Sequence, residues 1–234
     1  MRLLLISNSG TPFLAHCTPA IGEFLGTRRR LAFVTAASLG DLAAYHARAR
    51  DALGPAPPGG LGLEVLHLRW DTDPLATLAE ADALFVGGGN TYALLARLRA
   101  AGLLEPIRAR VRDGMPYVGS SAGGNVAGPN ILTTNDWNVV ALDAFDALGL
   151  VPFNINPHYL ETDPAMAPGS ETRDTRIAEY HTVNANPVVG IEEGTLLRVE
   201  GAAATVLGRG RVKLFERGRA PRWLAPGERL PLGT

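Results

Sequence analysis

Met115-Pro116-Tyr117-Val118-Gly119-Ser120-Ser121-Ala122-Gly123 runs from a short apolar segment straight into a cluster of small residues. The order reads as strand, sharp turn, helix, with Gly119-Ser120-Ser121-Ala122-Gly123 in the G-x-S-x-G spacing of a nucleophile elbow. Such a turn is strained and crowded. The flanking positions must lack side chains if the middle serine is to hold its oxygen clear of the backbone. The helix that follows aims free N–H groups and the positive end of its dipole at the reacting atom. Ser121 is therefore the candidate nucleophile, and an elbow of this kind belongs at the carboxyl end of a strand in an α/β sheet.

The surrounding pattern agrees. Residues 3–6, 31–35, 63–68, 83–86 and 117–118 are short apolar runs with little alternation, as expected for strands buried on both faces. Between them, residues 19–25, 39–52, 74–81, 92–101 and 104–113 space Leu, Ala and Ile as amphipathic helices do. Repeated alternation of this kind predicts a mostly parallel, doubly wound sheet with helices on both faces. The Pro- and Gly-rich stretch 54–62 reads as a surface loop before the third strand. Residues 129–175 are irregular and polar, and a stretch of that kind inside a compact domain usually has a functional role. Residues 195–199, 203–206 and 212–215, separated by glycine-containing turns, read as a small C-terminal antiparallel region.

Composition narrows the class. The 234 residues fit one α/β domain spanning 1–234, with 46% apolar and 19% charged residues and a net charge of −1. That balance gives no electrostatic case for nucleic acid or an anionic membrane as a partner. All basic residues but Lys213 are arginines, a bias of composition rather than a binding signal. The single cysteine, Cys17, excludes an intramolecular disulfide and a multi-cysteine metal site, and reads as a structural thiol. The opening apolar run ends at Ile6, too short for a signal peptide, and no segment approaches the roughly 18–20 apolar residues of a membrane span. A cytoplasmic protein is expected.

A serine needs a base to remove its proton, and five histidines compete. His16 and His46 fall in early helical segments, His67 inside a strand, and His181 in a connection between a helix and a strand. His158 is the candidate base: in Asn154-Ile155-Asn156-Pro157-His158-Tyr159, the proline restricts the residue before it and fixes the approach to a polar position. The Gly87-Gly88-Gly89-Asn90 run after residues 83–86 has three readings. It is a turn with Asn90 or Thr91 as N-cap, a phosphate cradle lacking the usual motif residues, or half of an oxyanion hole in which the Gly89 N–H works with that of Ala122.

Taken together, LLLISNS (3–9), FVGGGNTYALL (85–95), YVGSSAGGNVAGP (117–129), TTNDW (133–137), INPHYLET (155–162), SETRDTRI (170–177) and GIEEGTLLRVEG (190–201) resemble the peptidase E family nearly end to end. The family comprises cytoplasmic α-aspartyl dipeptidases. The resemblance implies a flavodoxin-like, class I glutamine amidotransferase-like fold, no cofactor or metal, and hydrolysis of small peptides with an N-terminal aspartate. It also implies a Ser–His–Glu triad, which falls on Ser121, His158 and Glu193. Two departures stand out. Family members carry Trp before the nucleophile, where this chain has Ser120, and Glu192 beside Glu193 leaves a second acid at the triad position. Asp136 is a rival orienting carboxylate, or simply an Asx-turn residue. The resemblance points to Arg173 as the cation for the aspartyl side chain, and Asp136 or Glu171 is the candidate acceptor for the substrate ammonium. Cyanophycinase-like or small-ester hydrolysis on the same fold, and a non-catalytic pocket-binding role, are the alternative functions.

Overall fold

The computed structural model describes residues 1–55, 60–162 and 171–231. Residues 56–59 of the expected 54–62 loop and 163–170 of the irregular stretch lie outside the described residues. Five parallel strands form one side of the main sheet: β1 (Arg2–Ile6), β2 (Arg30–Val34), β3 (Glu64–Leu68), β4 (Ala83–Val86) and β5 (Tyr117–Ser120), in the order β1-β5-β4-β2-β3 with β3 at the edge. Three helices follow the first three strands: α1 (Thr18–Leu25), α2 (Leu42–Leu53) and α3 (Pro74–Glu80). Two more, α4 (Thr91–Ala100) and α5 (Leu104–Arg112), lie between β4 and β5, and the single turn α6 (Ala122–Asn125) follows β5.

The strands form because their side chains have apolar partners on both faces. Leu3 and Leu5 join one buried cluster while Leu4 and Ile6 join another, and Ala32 and Val34 separate from Leu31 and Phe33 in the same way. A run apolar at every position cannot be stable with one face in water, so helices cover both sides.

The sequence expectation for 129–175 needs correction, because ordered elements lie inside it. β6 (Asn154–Tyr159) pairs in parallel with β7 (Val188–Glu192), and α7 (Arg173–Val183) crosses between them. β6 escapes a hydrophobic pattern because it buries asparagines that are bonded to the preceding loop. Asn156 Nδ2 donates to the Thr133 carbonyl and to Asn135 Oδ1 at 2.8 Å each, and Thr133 Oγ1 donates to the Ile155 carbonyl at 2.9 Å. The C-terminal strands also divide between two sheets. β8 (Thr195–Glu200), β9 (Ala203–Gly208) and β12 (Arg229–Pro231) extend the main sheet antiparallel beyond β1. β10 (Val212–Phe215) and β11 (Arg222–Leu224) instead complete the four-stranded sheet of β6 and β7.

The carboxyl ends of β1, β4 and β5 are neighbours, and there the chain approaches itself very closely. A Cβ on Gly123 would stand 2.1 Å from the Val86 carbonyl oxygen, whereas one on Gly124 would meet nothing nearer than 3.8 Å. Gly123→Ala should therefore cost roughly 3 kcal/mol, at the upper end of overpacking, since the clash is with backbone that cannot turn aside. Gly124→Ala should leave stability within about 1 kcal/mol. Urea unfolding of the two variants checks the contrast, and equal midpoints would refute the close approach.

Candidate active site

Ser121 closes β5 with φ 51° and ψ −109°, a conformation that side-chain-bearing residues rarely adopt. It is held on both sides: its N–H donates to the Ile6 carbonyl at 2.9 Å, and its carbonyl accepts from Gly124 and Asn125 N–H at 2.8 and 3.0 Å. The helix behind it is a single turn, so its macrodipole is slight, and the local N–H groups matter more than a helix field. The Gly87-Gly88-Gly89 run passes directly above, with a Cβ on Gly88 falling 3.2 Å from Ser121 Cβ. Among the described residues, no acceptor takes the N–H of Gly89 or of Ala122.

From the other sheet comes His158. The β6–β7 register shifts between Pro157 and Tyr159, leaving His158 as the extra residue of a bulge with φ 54°. A bulge re-aims the side chain it carries, and here the imidazole meets the elbow. Ser121 Oγ and His158 Nε2 are 2.9 Å apart, and His158 Nδ1 lies 2.9 Å from Glu193 Oε1. The histidine side chain is 40% exposed and that of Glu193 65%, so this pair faces solvent.

Ser7, Asn8 and Ser9, immediately after β1, join these segments. The buried Ser7 hydroxyl accepts from His158 N–H at 2.9 Å and donates to the Ile191 carbonyl at 2.8 Å. Asn8 Oδ1 accepts from Gly194 N–H at 2.9 Å, next to Glu193. Ser9 Oγ lies 3.0 Å from Ser120 Oγ, next to Ser121. None of the three was singled out as a site residue in the sequence reading. The signal was there: three polar residues directly after the apolar run Leu3–Ile6 of a parallel strand, at the end where sites form.

The other candidates separate. Asp136 is not at His158: its Oδ2 accepts from Thr91 N–H at 2.7 Å and from Thr134 Oγ1 at 3.1 Å, so it caps α4. With Asn90 Oδ1 also taking Ala93 N–H at 2.9 Å, the start of α4 is already served by the chain's own acceptors, against a phosphate cradle. Glu192 turns away to Arg211, whose backbone N–H and guanidinium it accepts at 2.6 and 3.2 Å. His181 lies within the last turn of α7 rather than in a connection, and His16 precedes α1 in a turn segment. His46 and His67 stack on each other at 4.4 Å, and burial with the neighbouring imidazole pushes His67 down to about 4. Burial pushes the Cys17 thiol up to about 12, which leaves it unreactive.

Arg173 opens α7 and lines a cavity of about 350 Å³ together with His158, Glu171 and Arg176. Burial, then repulsion from Arg176, lowers its pKa below the ordinary arginine range. Glu171 pairs with Arg176 at 3.3 Å. The start of α7 is fixed by the neighbouring Asp174, which bonds the Tyr159 hydroxyl and sits 2.7 Å from the ammonium of buried Lys213. Among the described residues, no group of three or more His, Cys, Asp or Glu side chains is placed to hold a metal ion, and no helix is long and apolar enough to cross a membrane.

A strained serine, an imidazole and a carboxylate in line can carry out acyl transfer, and comparison with known proteins points the same way. Residues 3–207 match the family model described as Peptidase family S51. A Streptomyces coelicolor protein named Peptidase E is 48% identical over 98% of this chain and 93% of its own length. A Drosophila melanogaster protein named "Probable alpha-aspartyl dipeptidase" is 43% identical over 96% of this chain and 94% of its own. The crystal structure of a peptidase from an acI-B1 Actinobacterium has the same fold, with a TM-score of 0.74 at 16% identity, covering 98% of this chain and 96% of that one. The chain belongs to peptidase family S51.

Removing the Ser7 hydroxyl orphans a buried N–H and a buried carbonyl and frees the histidine backbone. Ser7→Ala is expected to cost roughly 1–3 kcal/mol of stability. It should also slow labelling of Ser121 by a fluorophosphonate about tenfold or more, as a displaced base would. Urea unfolding and a labelling time course read the two effects, and unchanged labelling would show that Ser7 does not hold the histidine.

Proposed function

We propose that this S51 peptidase hydrolyses dipeptides with an N-terminal aspartate by a serine mechanism, acting in the cytoplasm. The observation that carries the reading is the unbroken line from Ser121 Oγ through His158 to Glu193 Oε1, two contacts of 2.9 Å built on a strained elbow. The names of the full-length relatives supply the substrate class.

In this mechanism Ser121 Oγ attacks the carbonyl carbon of the aspartyl residue while His158 Nε2 takes the hydroxyl proton. The developing oxyanion is met by the N–H groups of Gly89 and Ala122, whose freedom from other acceptors suits them to that task. The imidazolium then gives its proton to the leaving amine, the C–N bond breaks, and an aspartyl ester of Ser121 remains. Water, deprotonated by the same imidazole, attacks the ester and restores the serine. Glu193 holds His158 in the tautomer that leaves Nε2 free to accept, and stabilises the imidazolium. Arg173 receives the aspartyl carboxylate in the cavity it shares with His158, and Glu171 on the same wall receives the substrate ammonium.

Turnover of Asp-Leu by variants tests the assignments. Ser121→Ala should lose nearly all activity while Ser120→Ala, whose hydroxyl among the described residues bonds only Ser9, stays folded and active. Glu193→Gln should lower kcat by about 10³–10⁴ with little change in KM, the pattern of a group acting in the transition state. Asp136→Asn should instead cost about 1 kcal/mol of stability through its cap. A reversal of those two results would make Asp136 the orienting acid.

Specificity rests on charge. Asn-Leu keeps the shape of Asp-Leu and lacks its charge, while Glu-Leu carries the charge about one methylene too far. Asn-Leu leaves Arg173 unpaired and should be poorer by roughly 2–5 kcal/mol in kcat/KM. Arg173→Met should erase most of that preference, and a variant that retains it would show that the carboxylate is read elsewhere. Cleavage of β-Asp-Leu in preference to Asp-Leu would replace the α-aspartyl reading with a cyanophycinase-like one.

A further inference from the structure

Two cavities meet at His158, and each presents an arginine that no carboxylate pairs among the described residues. Arg173 lines the smaller. The larger, about 710 Å³, is lined by Ser121, Gly89, Phe13, Tyr45, Asp41 and Arg48 among others. We propose that Arg48 binds the free terminal carboxylate of the departing residue, making this cavity the leaving-group subsite and the feature that favours dipeptides. The inference rests on the reading above, in which Arg173 takes the aspartyl side chain.

An aspartyl dipeptide carries two carboxylates, one on the side chain and one at its end. With the first on Arg173, the second lies beyond the scissile bond, on the side where the cavity holding Ser121 opens. Within two extended residues, about 7 Å, the terminal carboxylate must find a cation or remain in water. Arg48 is the arginine of that cavity.

Its setting suits a planar anion. The guanidinium carbon sits 4.7 Å from the centre of the Phe13 ring, and a guanidinium held there can give a carboxylate two parallel hydrogen bonds. The charges along α2 orient the ligand further. Asp41 caps the helix, its Oδ1 accepting from Ala43 and Ala44 N–H at 2.8 and 3.0 Å. Two turns on, roughly 10 Å away, Arg48 carries the opposite charge. A carboxylate is repelled from the first end and drawn to the second. Tyr45 lies between them with its phenol pushed up to about 12 by burial, so it adds no charge.

Because Arg48 is exposed, its pair with the ligand is partly screened, and an effect of about tenfold is expected. The test compares Asp-Leu with Asp-Leu-amide, which differ only in the terminal charge, on the full chain and on Arg48→Gln. The unaltered enzyme should favour the acid by about tenfold in kcat/KM, mainly through KM, and Arg48→Gln should bring the two substrates close to parity. Arg48→Lys should restore part of the preference. Equal use of acid and amide by the unaltered enzyme overturns the inference, as does an Arg48→Gln enzyme that keeps the full preference. Loss of the Asp-over-Asn preference in Arg48→Gln would exchange the roles of the two cavities and overturn it too. No turnover of either substrate by the unaltered chain removes the dipeptidase reading itself, and the inference with it.

Discussion

The close approach of backbones at the ends of β1, β4 and β5 is the constraint on which the site depends. Gly119 and Gly123 flank the elbow, and a Cβ on either would fall within 2.5 Å of a backbone atom. That contact forces Ser121 into positive φ, where the chain has little freedom to relax. Of the four non-glycine residues with positive φ among the described residues, Leu14, Ser121, Ala141 and His158, two are the ones whose side chains meet, Ser121 and His158. Strain of this kind costs on the order of 1–3 kcal/mol per residue and persists only where the surroundings over-determine it. Here the surroundings are the buried hydrogen bonds of Ile6, Gly124 and Asn125 to Ser121, and of Ser7 to His158.

Ser121 and His158 come from different sheets, so their separation depends on how those sheets are joined. The link is the Ser7-Asn8-Ser9 segment, whose three side chains bond to the histidine backbone, to the residue after Glu193 and to the residue before Ser121. Each such bond contributes only about 1 kcal/mol net. Their value is positional: one segment ties together the backbones beside Ser121, His158 and Glu193. The substitution of Ser120 for a large aromatic residue is consistent with this, since its hydroxyl supplies one of the three contacts.

Much of this was legible in the sequence, and the boundary is physical. The five parallel strands were visible because burial on both faces leaves an uninterrupted apolar run, and the elbow because its glycines have a steric reason. β6 was not visible, because its asparagines satisfy their side chains by bonding a loop, which no periodicity records. The bulge that aims His158 depends on pairing with β7, a contact distant in sequence. Glu193 and Asp136 were both acids near family motifs, and only folding separates the one beside the imidazole from the one capping α4. Arg48 was silent for the same reason: a helix arginine reads as a solvated charge until the fold brings it to the cavity that Ser121 lines.

The open face of the histidine–glutamate pair bears on how substrate and site complete one another. With Glu193 mostly exposed, water screens its attraction for the imidazolium of the proposed mechanism. A bound dipeptide displaces that water, and the pair strengthens when the charge appears. Occupation of both cavities that His158 lines would do this most fully. A ligand with only one carboxylate fills one cavity and leaves the other wet. In the proposed reaction that dehydration falls on the group that carries the developing charge, while the gain from the terminal carboxylate itself is read mainly in KM.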